Sequence, residues 1–289
     1  MNYAMGWIRD LPDIRDFTIK HPEVKAFRIP SFAFGDQGEL VTELPQCYDI
    51  GEHWHLPEIK NQQNLGSCTA NAVCFMAEAF SVISGNVCYS EPFSRLFLYK
   101  TSRRLMNLPG DNGASLRKTM QALAMFGVPQ ERFRKYEVDR HWDDEPDAYL
   151  YAIAQNYQAL KYYRLDPDEF GPDKILASIK LNISHSRPCV CGWSVYKDAV
   201  GKVGTDGNVA MPQPNDRMEG GHATCFVGYD DDRPMPGGSK GALKFANSWS
   251  KQWGTDGYGW LDYGYVRRML AVDWWTLMSQ EWLDTGIFK

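Results

Sequence analysis

The sequence predicts an α+β fold in which helices come first and strands second, with a cleft between the two parts. Two observations carry this. Through the first half, apolar residues recur at helical spacing between cap residues, as in Thr69–Ser84 and Ser115–Phe126. Past residue 165 the pattern turns to short β-rich runs, Cys189–Tyr196, Ala223–Tyr229, Ala242–Ala246 and Tyr258–Tyr263, separated by glycine, proline and aspartate. A length of 289 residues with 44% hydrophobic and 23% charged residues permits one large core or two modest ones.

Residues 1–42 read as an arm, punctuated by Pro12 and by the loop-like stretch 32–38. Trp7, Phe17, Phe27, Phe32 and Phe34 are too apolar for a free tail, so the arm is expected to lie against the body as a candidate pro-segment over the cleft. Residues 43–165 form the expected helical subdomain. Its first helix, Thr69–Ser84, carries the stripe Ala70, Val73, Ala77, Phe80 and Val82 and stops at Gly85. Ser90-Glu91-Pro92 reads as the start of a second helix that reaches about Met106. A third runs from Ser115 to Phe126 and closes at Gly127, with short helices expected over 146–155 and 173–183. Residues 166–289 form the expected β-rich subdomain, an antiparallel, barrel-like sheet.

Composition excludes several partners. A net charge of −5 with both signs interspersed leaves no basic footprint for nucleic acid or an anionic membrane surface. No apolar run is long enough to span a bilayer, and the first residues lack a signal-peptide pattern, so a monomeric cytoplasmic protein is expected. Seven cysteines, an odd number in a long chain, argue against a disulfide framework.

Chemistry concentrates at Asn61-Gln62-Gln63-Asn64-Leu65-Gly66-Ser67-Cys68, which puts a thiol on the first turn of a helix. Free N–H groups and the positive helix end there favour a thiolate, so Cys68 is a candidate nucleophile, although most free cysteines are simply small buried hydrophobes. A nucleophile needs a base, and of six histidines His222 stands out at the start of a strand after Gly220-Gly221. Asn247, 25 residues on, is placed to fix its tautomer, with the Trp249 ring shielding that bond from water. The Gln62 amide and the Cys68 backbone N–H would form an oxyanion hole.

Those blocks, Gln62 with Gly66-Ser67-Cys68, Gly221-His222-Ala223, and Asn247-Ser248-Trp249 with Trp253-Gly254, resemble the papain family in residue type, order and spacing. The resemblance covers roughly residues 44–263. It implies a papain-like cysteine endopeptidase: Cys68 as nucleophile, His222 as base and acid, Asn247 as orienter, Gln62 in the oxyanion hole and a resting thiolate–imidazolium pair. Gly113 resembles the glycine whose backbone pairs with an extended substrate; Gly221 and Trp249 would line the cleft. No cofactor or metal is implied, and the partner is a peptide or protein substrate. The family's cysteine three residues before the nucleophile is Leu65 here, and its partner position, near Asp111, is not cysteine either. The loop would then be held by packing alone. The arm resembles the leading Trp-x-x-Asp-x-Pro-Asp-x-Arg-Asp segment of short bacterial enzymes of this family.

Other signals carry less. Cys189-x-Cys191 on an apolar strand points its thiols to opposite faces and chelates poorly. Asp230-Asp231-Asp232 lacks calcium-loop spacing and reads as a solvated turn. A Cys-His acyltransferase or amidase, and an inactive papain-like peptide-binding scaffold, are the alternative readings.

Overall fold

Helix α3 (Cys68–Ile83) stands at the centre of the molecule because its sequence is apolar or small all round: every residue from Cys68 to Ser81 is buried. In the computed structural model, which describes residues 4–26, 43–85, 91–156, 158, 161–197 and 207–278, it follows α1 (Pro22–Ala26) of the arm, β1 (Cys47–Asp49) and α2 (Ile50–His53). Phe27, Phe32 and Phe34 lie outside the described residues. After α3 come α4 (Arg95–Met106), α5 (Leu116–Phe126), α6 (Ala148–Ala154), β2 (Tyr162–Arg164) and α7 (Pro172–Ser184). The strands β3 (Cys189–Tyr196), β4 (Asn208–Val209), β5 (Met218–Pro234), β6 (Lys240–Ala246) and β7 (Tyr258–Asp262) follow, then α8 (Gly264–Arg267) and β8 (Ala271–Leu277).

Caps set the helix ends. The Ser115 hydroxyl accepts from Lys118 N at the start of α5, and Gly127, with φ +72°, closes it. Helix α4 begins later than Ser90-Glu91-Pro92 promised. Phe93 pairs with Gln130 in an antiparallel bridge and its N–H donates to Glu78, so the chain stays extended until Ser94 caps the helix.

The sheet runs β2-β8-β3-β5-β6-β7-β4, with β1 paired to β5. It is open. The barrel-like expectation is corrected here, because the edge strands β2 and β4 have only three and two residues and do not meet, and β4 pairs with β7 in parallel. Strand β5 is longer than expected and passes through the anticipated turn at Asp230–Asp232, where Asp231 takes hydrogen bonds from Lys180 (2.7 Å) and Tyr263 (2.7 Å).

Strand β8 was not among the expected runs, yet it sits in the body of the sheet between β2 and β3. Its register with β3 slips between Val190 and Gly192, and Asp273 adopts φ +59° in that bulge. A bulge re-aims a side chain, and this one turns a carboxylate towards the cleft. Helix α3 packs against α4 and α5 and against β3 and β5, so the site forms where helices meet sheet. Among the described residues no helix is long and apolar enough to cross a membrane.

Candidate active site

Cys68 opens α3. The N-cap Ser67 turns its hydroxyl to Tyr136 Oη (2.6 Å) instead of to the helix, which leaves first-turn amides to the sulfur. Backbone hydrogen bonds from Ala223, Gly6, Thr69 and Cys68 itself favour the thiolate, but complete burial outweighs them and pushes the thiol up to about 11. The expected helix-stabilised thiolate is therefore absent while the sulfur is covered.

His222 lies on β5 opposite Trp193 of β3. Its Nε2 is 2.8 Å from Asn247 Oδ1, which also accepts from Ser248 N at 2.8 Å. That oxygen can only accept, so Nε2 carries the ring proton. Nδ1 is left without a hydrogen-bond partner among the described residues. Trp249 stacks on the imidazole with centroids 4.4 Å apart, and Trp193 meets it edge-on at 5.7 Å. Burial among these rings pulls the imidazole down to about 4, the Asn247 bond opposing. Burial thus disfavours the charged form of both partners of the expected ion pair while the sulfur is covered.

Gln62 is oriented by Ser248, whose hydroxyl donates to Oε1 at 2.6 Å. Its Nε2 then donates to Leu65 O (2.9 Å) and to Ala4 O of the arm (3.0 Å). The loop from 61 to 68 is tied down by more than packing, which corrects the expectation. Asp111, close to where the family has its disulfide partner, accepts from Gly66 N at 2.9 Å and from Tyr99 Oη at 2.6 Å. The Tyr136 hydroxyl adds a bond to Gln62 O at 2.8 Å.

Across this loop runs the arm. Ala114 N donates to Gly6 O (2.8 Å) and Ile8 N to Ala114 O (3.0 Å), in parallel pairing, while Trp7 N donates to Gly221 O (3.1 Å). Gly113, with φ +75°, leaves the pairing to Ala114 and supplies the room: a Cβ there would lie 2.2 Å from Gly6 O. A Cβ on Gly6 would lie 1.8 Å from Gly66 O, so only glycine passes this point. Thus Gly113, Gly221 and Gln62 all touch the arm, and Trp249 instead covers His222.

The arm is anchored by groups that sequence reading missed. Arg117 pairs with Asp16 (2.6 Å) and its N–H donates to Asp10 Oδ2 (2.9 Å). Arg164 pairs with Asp16 (3.3 Å), Asp166 (2.9 Å) and Asp273 (3.0 Å). Asp273 in turn accepts from Asp10 N (2.8 Å) and from Trp7 Nε1 (3.2 Å). Asp10 and Asp16 stand in the leading segment that resembles the short bacterial enzymes, but nothing in the sequence marked Arg117, Arg164 or Asp273 as their partners.

A helix-borne cysteine, a strand histidine bonded to an asparagine, and a glutamine amide fixed within the loop that leads to the cysteine define a cysteine-type peptidase, a hydrolase of peptide substrates. The chain belongs to the papain family of cysteine proteases: residues 44–270 match that family's profile. It is 31% identical over 287 residues to a peptidase C1-like protein of Acanthamoeba polyphaga mimivirus, covering 95% of this chain and 86% of the other. Among solved structures it is similar to xylellain, a cysteine protease from Xylella fastidiosa, with 29% identity, a TM-score of 0.75 and coverage of 96% of this chain and 97% of that one. The fold is shared with a procathepsin B from Trypanosoma congolense at a TM-score of 0.67 and 17% identity, covering 96% of this chain and 86% of that one.

Proposed function

We propose that the chain is an endopeptidase acting through an acyl-enzyme on Cys68, and that residues 1–42 are a pro-segment that closes its cleft. The observation that carries this is the occupancy of the main-chain partners around the thiol. Gln62 Nε2, Gly221 O and both polar groups of Ala114 already bind an extended backbone, that of residues 4–8.

A substrate strand that replaces the arm would take the same partners. His222 Nδ1 removes the thiol proton, and Sγ attacks the carbonyl carbon. Gln62 Nε2 and the Cys68 N–H stabilise the oxyanion, and His222 returns the proton to the departing amine. Water, activated by the same imidazole, releases the acyl group. Asn247 holds the ring through Nε2 during each transfer.

Cys68→Ala should abolish peptide hydrolysis, a loss of at least about a thousandfold, together with covalent labelling by an epoxysuccinyl peptide. Retained turnover would refute the mechanism. Gly6→Ala cannot seat the arm against Gly66 O and should raise the turnover of small fluorogenic peptides by the full-length chain. Unchanged turnover would mean that the arm does not limit access.

A further inference from the structure

The arm does more than cover Cys68, because one of its side chains fills a pocket. The Trp7 indole lies flat over Gly192 and beside Gly221: a Cβ at 192 would fall 1.9 Å from ring atom Cε2 and one at 221 would fall 2.5 Å from Cε3. At the end of that space stands Asp273, buried, in the β8 bulge with φ +59°. A left-handed aspartate in a strand costs conformational energy, and such strain gathers where a side chain has to point a particular way. Its Oδ1 is held by Arg164 at 3.0 Å. Its Oδ2 has two partners, Trp7 Nε1 and Asp10 N, and both belong to the arm.

Resting on the peptidase reading above, we propose that the space now filled by Trp7 is the pocket that reads a substrate side chain, and that Asp273 makes it select tryptophan. When the arm leaves, Oδ2 loses both donors to water, and a substrate side chain that fills the slot drives that water out and buries the acceptor again. A buried acceptor left unpaired is costly, so a side chain that supplies an N–H is favoured over one of equal shape that does not. Arg164 is shared between Asp273 and Asp166 and so does not fix the charge of the slot by itself. Both groups that Oδ2 now accepts from, the Trp7 indole and the Asp10 amide, are neutral N–H donors, which favours a neutral donor over lysine or arginine. The flat floor at Gly192 argues for a wide planar ring. Indole meets all three conditions, and phenylalanine and leucine lack the donor.

The test uses the full-length Gly6→Ala chain and fluorogenic peptides with tryptophan, 1-methyltryptophan, phenylalanine or leucine at each residue upstream of the scissile bond in turn. At one position tryptophan should exceed both 1-methyltryptophan and phenylalanine in kcat/KM by about tenfold or more. In Asp273→Asn that ratio should fall towards one. Should Asp273→Asn not fold, the comparison of tryptophan with its N-methyl analogue decides alone, since it needs no change in the protein. Cleavage with equal rates for those two at every position would overturn the pocket assignment and leave the peptidase reading intact. If no peptide is cleaved and Cys68 resists the epoxysuccinyl label, the peptidase reading falls and this proposal falls with it.

Discussion

Gln62 cannot turn its amide over, since Ser248 Oγ donates to Oε1 and only Nε2 is left to face the arm carbonyl. A donor fixed in this way needs no reorganisation when charge develops on a substrate oxygen. In the Gly6→Ala background, Gln62→Ala should lower kcat by about a hundredfold to a thousandfold with KM little changed, while alkylation of Cys68 by iodoacetamide persists. Loss of alkylation as well would mean that Gln62 acts on the thiol and not on the oxyanion. The thiol gives a second measurement. Burial raises it to about 11 in the closed form, so wild-type alkylation should stay slow at neutral pH and climb only towards that value. With the arm unseated, solvent reaches the sulfur and His222 Nδ1 alike, and the reaction should be fast already near pH 7. Matching pH profiles for wild type and Gly6→Ala would show that burial under the arm does not set the thiol's state.

Helix α3 and strands β3, β5 and β6 could be read from the sequence because each holds a bounded apolar run of telling length, long for the helix and short between turn residues for the strands. Cys68 and Asn247 were legible because each lies at an end of such a run, and His222 because it opens the buried part of β5 after two glycines. Strand β8 escaped because a charged residue, Asp273, interrupts its apolar run, taking a left-handed conformation where the register slips. With β8 unseen, Asp273 had no place in the site. The nucleophile loop was misjudged in the opposite way, since the missing disulfide was noticed but the replacement was not. Asp111 is a carboxylate in a turn-rich stretch, and only the fold brings it to Gly66 N and Tyr99 Oη. Asp111→Ala should therefore destabilise the protein by about 1–3 kcal/mol, because two donors lose their acceptor. Urea denaturation would measure this, and a change within about 0.5 kcal/mol would mean that packing alone holds the loop.

Across the whole molecule, closing the arm moves protons, and the sign differs between its two ends. Burial raises Asp273 to about 7, with the Asp10 carboxylate adding to it. Asp10 is raised for the same reason. When the arm leaves, Asp10 goes and water enters, so Asp273 relaxes towards its ordinary 3.8. Closing thus takes up a proton at this end, and acid below about pH 7 favours the closed form. His222 works against it. Its value is about 4 in the closed form, and because the Trp193 and Trp249 rings stay when the arm leaves, water carries it only part of the way back towards 6.5; closing still sheds a proton, and acid below 6.5 favours opening. Over the window from 6.5 down to 4 the two effects oppose, and wild-type closure should change little with pH. Asp273→Asn removes the larger part of the first effect, since Asp10 alone is left to take up a proton there, and leaves the second. In that variant the arm should loosen as pH falls through the same window, by up to about 3 kcal/mol, since a tenfold difference in proton affinity between the closed and open forms is worth about 1.4 kcal/mol. Hydrogen exchange of the Trp7 and Ile8 amides, which donate to Gly221 O and Ala114 O, reports closure directly once corrected for intrinsic rates. Protection should fall by up to about a hundredfold in Asp273→Asn between pH 6.5 and 4 and stay nearly level in wild type. A profile in the variant as flat as that of wild type would remove His222 as the acid-sensitive end of the closure.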